Sequence, residues 1–255
     1  MRIALCISGQ PRSVKEAYEA SIFKNFIQPN NIRDIFVHTW WRPEWETGTT
    51  YANFNRPTYR FDKNAIKDIK FFYRPLRMEV EDDTTYHDFI NKEFVNNDDY
   101  VSAEKVNILQ WYPKYFSIYK ANKLKNDYEK EQGFEYDIVV KMRFDWFFYF
   151  PTILKDLDLT KIHANTPGSG EIGDLKPGDK GIGDQFAVGN KKNMDVYCNI
   201  AMDMHGAAKR HPETSSESTL GNYLYDASIL AYYSWRDRKD AEIYFYHDKS
   251  RLFWK

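Results

Sequence analysis

Tyr136-Asp-Ile-Val-Val-Lys-Met-Arg-Phe-Asp145-Trp-Phe-Phe-Tyr-Phe150 is the decisive segment of the chain. It opens on an apolar run, Ile138 to Val140, whose β-branched side chains suit a strand buried on both faces. Lys141, Arg143 and Asp145 then arrive at alternate positions. A strand sends alternate side chains to one face, so the three are expected on a single side. Two cations and a carboxylate are costly at the carboxyl end of a central strand unless something binds there. In open α/β sheets that end is where ligands sit. An anion held by Lys141 and Arg143, joined to Asp145 through a divalent cation, satisfies all three groups, and a diphosphate fits that description. The competing reading is an ion pair between Asp145 and Arg143 or Lys141 that merely ends the strand. The pattern leaves both open.

Working outward, Ser102 to Gln132 carries helical spacing. Leu109, Tyr112, Phe116 and Tyr119 share a face that Leu124 and Tyr128 continue, and Gly133 stops the helix. The aromatic stripe reads as core, with Lys120 and Asn122 as polar contacts near it. This helix feeds the decisive strand as a βαβ crossover. At the amino end, Arg2-Ile-Ala-Leu-Cys-Ile-Ser8 reads as a buried parallel strand, followed by a Gly9-Gln10-Pro11-Arg12 turn and a helix from Val14 to Phe26. Glycine there lets a ligand approach the backbone, and Arg12 adds positive charge. Neither a Gly-x-Gly-x-x-Gly fingerprint nor a Walker lysine is present.

Asp34-Ile-Phe-Val-His-Thr-Trp40 is a second apolar run ending in His38, Trp40 and Trp41. Taken alone, His38 is more often a satisfied structural histidine than a ligand. Phe71-Phe-Tyr73 is a third candidate strand, with Leu76 to Glu81 beyond Pro75. Trp45 to Tyr59 reads as loop, and the acidic Glu81-Asp82-Asp83 as a solvated turn.

Downstream, Thr166 to Gly183 holds six of the 12 glycines, which suggests a lid or a disordered segment. Asp184 and Gln185 follow at its mouth, then a short strand from Phe186 to Val188. Asn190 is expected to cap a helix from Lys192 to Gly206. A last helix is expected from Glu217 to Tyr233, with Glu213 at its capping end, and a closing strand that runs to His247.

The chain has 255 residues, enough to bury a substantial core, and 17% of them are aromatic. With 36 basic and 37 acidic residues it lacks the basic excess of a general nucleic-acid binder. No run approaches the ~20 apolar residues of a membrane span. No signal peptide is visible. Cys6 and Cys198 show no metal-type spacing and read as buried thiols. Together these traits describe a soluble cytoplasmic α/β protein, peripheral to a membrane face at most.

Ile7-Ser-Gly-Gln-Pro-Arg12, Asp34 to Trp40, Tyr136 to Asp145 and Gly183-Asp-Gln-Phe-Ala-Val-Gly189 occur in the order found in a loose group of GT-A-type glycosyltransferases. That group includes enzymes of bacterial surface polysaccharides and of large DNA viruses. The resemblance implies one α/β domain with a GT-A, Rossmann-like, mixed and mostly parallel sheet. Its nucleotide-binding part would span about residues 1–150, and its acceptor and lid part about 151–255. It implies a nucleotide-diphospho-sugar donor, a glycan or other hydroxyl acceptor, and Mn²⁺ or Mg²⁺. Ser8, Gly9, Gln10, Arg12, His38, Trp40, Lys141, Arg143, Asp145 and Gln185 would hold the donor. Asp145 and His247 would hold the metal, although Arg143-Phe144-Asp145 keeps only the second Asp of the family's Asp-x-Asp. Asp184 would be the catalytic base or would bind a donor hydroxyl. A non-catalytic carbohydrate- or nucleotide-binding module and a nucleotidyltransferase are the rival readings.

Overall fold

A computed structural model describes residues 1–42, 44, 62–82, 102–165, 173–174, 181–210, 216–235 and 241–243. Strand β1, Ile3–Gly9, lies at the heart of an eight-stranded sheet. β2 (Asp34–Trp40) pairs parallel on one side of it, with β3 (Arg77–Glu81) parallel beyond. β4 (Ile138–Met142) pairs parallel on the other side, with Ile3 opposite Ile138 and Ile7 opposite Met142. Past β4 the sheet turns mixed. β8 (Phe186–Gly189) runs antiparallel to β4 and to β6 (Ile162–Asn165), and β9 (Ala231–Trp235) runs parallel to β6. The two-residue β7, Gly173–Asp174, edges β9 antiparallel. A separate ribbon joins β5 (Trp146–Phe148) to β10 (Ala241–Ile243). This is an α/β fold with a Rossmann-like, mixed, mostly parallel sheet.

The alternation of β1 and β4 explains the two cores. Leu5, Ile7, Val140 and Met142 face one layer, made by α1 (Val14–Ala17), its continuation Tyr18–Ile27, and α2 (Ala65–Asp68) running on through Ile69–Tyr73. The continuation of α1 is wound wider than an α-helix, and the Gln28 amide closes it onto the Phe23 carbonyl five residues back at 2.9 Å. Ala4, Cys6, Phe36 and Val139 face the other layer, formed by α3 (Ser102–Gln132), α4 (Lys191–Cys198), α5 (Ile200–Arg210) and α6 (Ser216–Asp226). Tyr112, Tyr115, Ile118 and Ala121 are the buried stripe of α3, while Phe116, Tyr119, Leu124 and Tyr128 pack at its margin. Gly133 ends that helix at φ +70°, a left-handed turn that favours glycine. The Asn190 side chain caps α4 by accepting from the Asn193 amide at 2.8 Å. Fully buried Lys125 ties α3 to α4 through Asp195 at 3.0 Å.

Four expectations differ from what forms. Phe71 to Tyr73 is helical, because Ile69 and Tyr73 share one buried face while Phe71 points out at 67% exposure. The helix expected from Lys192 to Gly206 is split after Cys198, where Asn199 closes α4 and α5 starts at Ile200. The last helix stops at Asp226, and Ala231 to Trp235 pairs with β6 instead, so tertiary pairing overrides a weak helical pattern. The decisive strand stops at Met142, and Phe144 and Asp145 form a turn. Cys6 and Cys198 are free, buried thiols, and burial pushes the Cys6 thiol up to about 12. Among the described residues, no helix is long and apolar enough to cross a membrane.

Candidate functional site

Strand order reverses at β1, which has β2 on one side and β4 on the other, so their parallel carboxyl ends adjoin, the place where such a sheet forms its crevice. Reversal points of this kind are where open α/β sheets receive ligands. Gly9 ends β1 at φ +104°, a backbone conformation open to glycine at no cost. Its amide donates to Ser117 Oγ at 2.8 Å, and its carbonyl accepts from Thr39 Oγ1 at 2.8 Å. Ser8 is buried beside it. Arg12 folds back in the turn and donates to the Gln10 side-chain oxygen.

Across the crevice, Lys141 faces the α3 layer and is fully buried, donating to the backbone carbonyl of Asp184. Burial drives its pKa down to about 7, against the attraction of Asp184 and with the help of Arg143 and Lys114. Asp184 is also buried. Burial disfavours its charge, but Lys114 and Lys141 overcome that and hold the carboxyl at about 2. The Lys114 ammonium contacts the Asp184 carboxylate directly and donates to Ser216 Oγ at 2.8 Å. Gly181 and Gly183 let the backbone before Asp184 pass close against Glu217 and Asn165. Gly181 sits at φ +87°, with room for a Cβ taken by the Glu217 backbone at 2.0 Å. A Cβ on Gly183 would meet Asn165 Nδ2 at 2.2 Å. The Ile182 and Gly183 amides donate to the carbonyls of Glu217 and Asn165 at 3.0 and 3.1 Å. The expected lid therefore ends in a pinned segment. Residues 166–172 and 175–180 lie outside the described residues.

Arg143 and Asp145 do not continue the line of Lys141. Arg143 clasps Asp145 with both prongs, Nε to Oδ1 at 2.8 Å and a terminal nitrogen to Oδ2 at 2.6 Å. Asp145 is buried in this clasp while Arg143 keeps 24% of its side chain exposed. Arg143 occupies one position on each Asp145 oxygen, so the Mn²⁺ or Mg²⁺ that the resemblance implies would have to use the remaining lone pairs or displace the guanidinium. His247 lies outside the described residues. Gln185 accepts from Asn165 Nδ2 at 2.6 Å, and its carbonyl accepts from the Arg143 amide at 3.2 Å.

His38 and Trp40 project from β2 toward α3, not into the β1–β4 crevice. Trp40 donates from Nε1 to the Pro113 carbonyl at 3.3 Å, and His38 lies against Ser117. Glu81 is no solvated turn residue. It belongs to β3 and faces His38 Nε2 at 3.4 Å and Lys120 at 2.6 Å, while Asp82 pairs with Arg42. Asp83 and Glu213 lie outside the described residues.

Sequence reading missed Lys114, Ser117, Asn165 and Ser216. Lys114 and Ser117 share one face of α3 with Lys120, at i, i+3, i+6, but so does any helix surface. Only their meeting with strand ends distinguishes them.

No protein-family model matches the chain, and no curated protein matches it. Among solved structures it is similar to CTP:phosphocholine cytidylyltransferase from Streptococcus pneumoniae. The identity is 10% over 98% of this chain and 96% of that one, with a TM-score of 0.43. It is also similar to a nucleoside-diphosphate-sugar pyrophosphorylase from Vibrio cholerae RC9, at 10% identity over 94% of each chain and a TM-score of 0.38. Likeness at this level concerns the course of the backbone and bears on no residue of the site.

Proposed function

We propose that the protein is a glycosyltransferase that takes its sugar from a nucleotide-diphospho-sugar and passes it to a glycan or other hydroxyl acceptor. One observation carries the reading: Lys114, Lys141 and Arg143 gather around Asp184 at the carboxyl end of β4, beside the Gly9 turn. Below the Lys141 pKa of about 7, three cations against Asp184 and Asp145 leave a surplus of positive charge where a diphosphate is expected; above it, Lys114 and Arg143 balance the two carboxylates. Lys114 and Arg143 reach solvent, so they are the groups that meet phosphate oxygens. Lys141 lies behind them and acts through its field.

Stabilising the departing nucleoside diphosphate is the main electrostatic task in sugar transfer. Arg143 stands where a metal would otherwise neutralise that charge. Asp184, held ionised by Lys114, is a poor proton acceptor in the free protein. When Lys114 turns to phosphate, Asp184 loses its nearest cation and its proton affinity rises. It then serves as the base for the acceptor hydroxyl.

A thermal-shift panel of UDP-, GDP-, CMP- and dTDP-sugars, with and without Mn²⁺, tests the reading. One nucleotide is expected to raise the melting temperature, since saturation at 100-fold over Kd adds ~2.7 kcal/mol. Release of free nucleoside diphosphate on adding acceptors then separates a transferase from a binding module. Pyrophosphate release from a nucleoside triphosphate and a sugar phosphate would instead identify a nucleotidyltransferase. No response to any nucleotide sugar abandons the transferase reading.

A further inference from the structure

His38, Glu79 and Glu81 form a second cluster, at the carboxyl ends of β2 and β3, that the glycosyl-transfer reading does not use. One ligand atom from each lies within 4.8 Å of the others. Lys120 closes the group, with its ammonium 2.7 Å from Glu79 and 2.6 Å from Glu81.

One arrangement of the Ser117 hydrogen bonds places the His38 proton on Nδ1. The Ser117 hydroxyl accepts from the Gly9 amide at 2.8 Å and spends its only proton on the His38 carbonyl at 3.3 Å. With the hydroxyl proton on that carbonyl, the contact to His38 Nδ1 at 2.8 Å is one in which the imidazole donates. In the neutral ring that leaves a lone pair on Nε2. His38 is fully buried, and its Nε2 has no hydrogen-bond partner. It faces a Glu81 oxygen at 3.4 Å. A lone pair aimed at a carboxylate is repulsive unless a cation lies between them. Lys120 does not fill that role, because it sits on the other Glu81 oxygen.

We propose that His38 Nε2, Glu79 and Glu81 are the ligands of a divalent transition-metal site, which the Lys120 ammonium caps when no metal is bound. One imidazole and two carboxylates suit Mn²⁺, Co²⁺ or Zn²⁺ rather than Mg²⁺ or Ca²⁺, which prefer all-oxygen shells. Ser117 supplies the outer contact that metal-bound histidines need, taking the Nδ1 proton and fixing the ring. Lys120 is a partly exposed side chain free to swing outward as the metal enters. Through Ser117 the metal would also steady the Gly9 amide, at the start of the turn before Arg12.

Co²⁺ titration of the full chain, followed by visible absorption, tests the proposal. One Co²⁺ per chain is expected. Lys120→Met should bind it at least tenfold more tightly, because the competing ammonium is gone. Glu81→Gln and Glu79→Gln should each bind at least tenfold more weakly, and Asp145→Asn should bind unchanged. In the Co²⁺ form the His38 Nδ1 proton should appear as a paramagnetically shifted NMR line that is missing in His38→Gln. Should Glu81→Gln fail to fold, Glu79→Gln carries the test, since its carboxylate is the more exposed at 37%. Absence of saturable Co²⁺ binding in Lys120→Met overturns the site. So does wild-type affinity in the Glu79 variant, or binding that is lost only with Asp145→Asn.

Discussion

The two charged clusters at the strand ends are built alike and charged oppositely. In the β1–β4 crevice, Lys114, Lys141 and Arg143 outnumber Asp184 and Asp145. At the β2–β3 ends, Glu79 and Glu81 outnumber Lys120. One face of α3 serves both, giving Lys114 to the first, Lys120 to the second and Ser117 to the seam between them. Six residues of helix, ~9 Å of rise, separate a place suited to an anion from one suited to a cation. The sign of each place is set by the strand residues that α3 meets, not by the helix.

The comparison breaks most visibly at Asp184. Asp184→Asn is expected to lower turnover by ~10²–10⁴ as the base is lost, with turnover and donor affinity measured on one preparation. If donor affinity falls in parallel, Asp184 holds the donor sugar. The same substitution reports on folding. The Asp184 carboxyl titrates at about 2 in the folded protein against an ordinary 3.8. Its contribution, ~2 kcal/mol, is therefore complete above pH ~4 and lost as pH falls toward ~2. Urea unfolding of wild type and Asp184→Asn should show the two stabilities converging over that interval. A difference that stays constant would mean that the pair with Lys114 does not stabilise the fold.

A smaller effect is expected at Lys114. Lys114→Met should weaken nucleoside-diphosphate binding by ~10–100-fold, the size of one charge-assisted hydrogen bond. Calorimetry at pH 6 and pH 9 sharpens the result. Lys141 is charged below about 7 and neutral above it, so wild-type affinity should also fall between those two pH values. Affinity indifferent to both changes would remove the diphosphate from this crevice.

The smallest effect marks the contrast in burial. Glu79 pairs with Lys120 near the surface, so Glu79→Gln should cost only ~0.5 kcal/mol, or ~1–2 °C in melting temperature. A loss of several kcal/mol would show the β2–β3 cluster to be as desolvated as the crevice.

By itself the sequence determined the strands and the long helix of the first half, since apolar β-branched runs and helical spacing leave few alternatives. Ile3–Gly9, Asp34–Trp40, Ile138–Met142 and Ser102–Gln132 are all legible in it, and so is the Asn190 cap. It also placed Gly9, Lys141, Arg143 and Asp184 at strand ends, where α/β sheets bind ligands. Tertiary structure alone decided which of them meet. Alternation along a strand predicts a shared face only while the strand lasts, and β4 stops at Met142, so Arg143 turns back on Asp145 and leaves Lys141 to Asp184. Ala231 to Trp235 became a strand because β6 offered an unpaired edge. Lys114 and Ser117 carry no local signal, and Lys120 only its place beside the aromatic stripe, because a charged or hydroxylic residue on a helix surface is ordinary. Their roles come from contacts distant along the chain, from 41 residues for Lys120 with Glu79 to 108 for Ser117 with Gly9. No periodicity encodes a separation of that kind; only the packing of α3 across the strand ends supplies it.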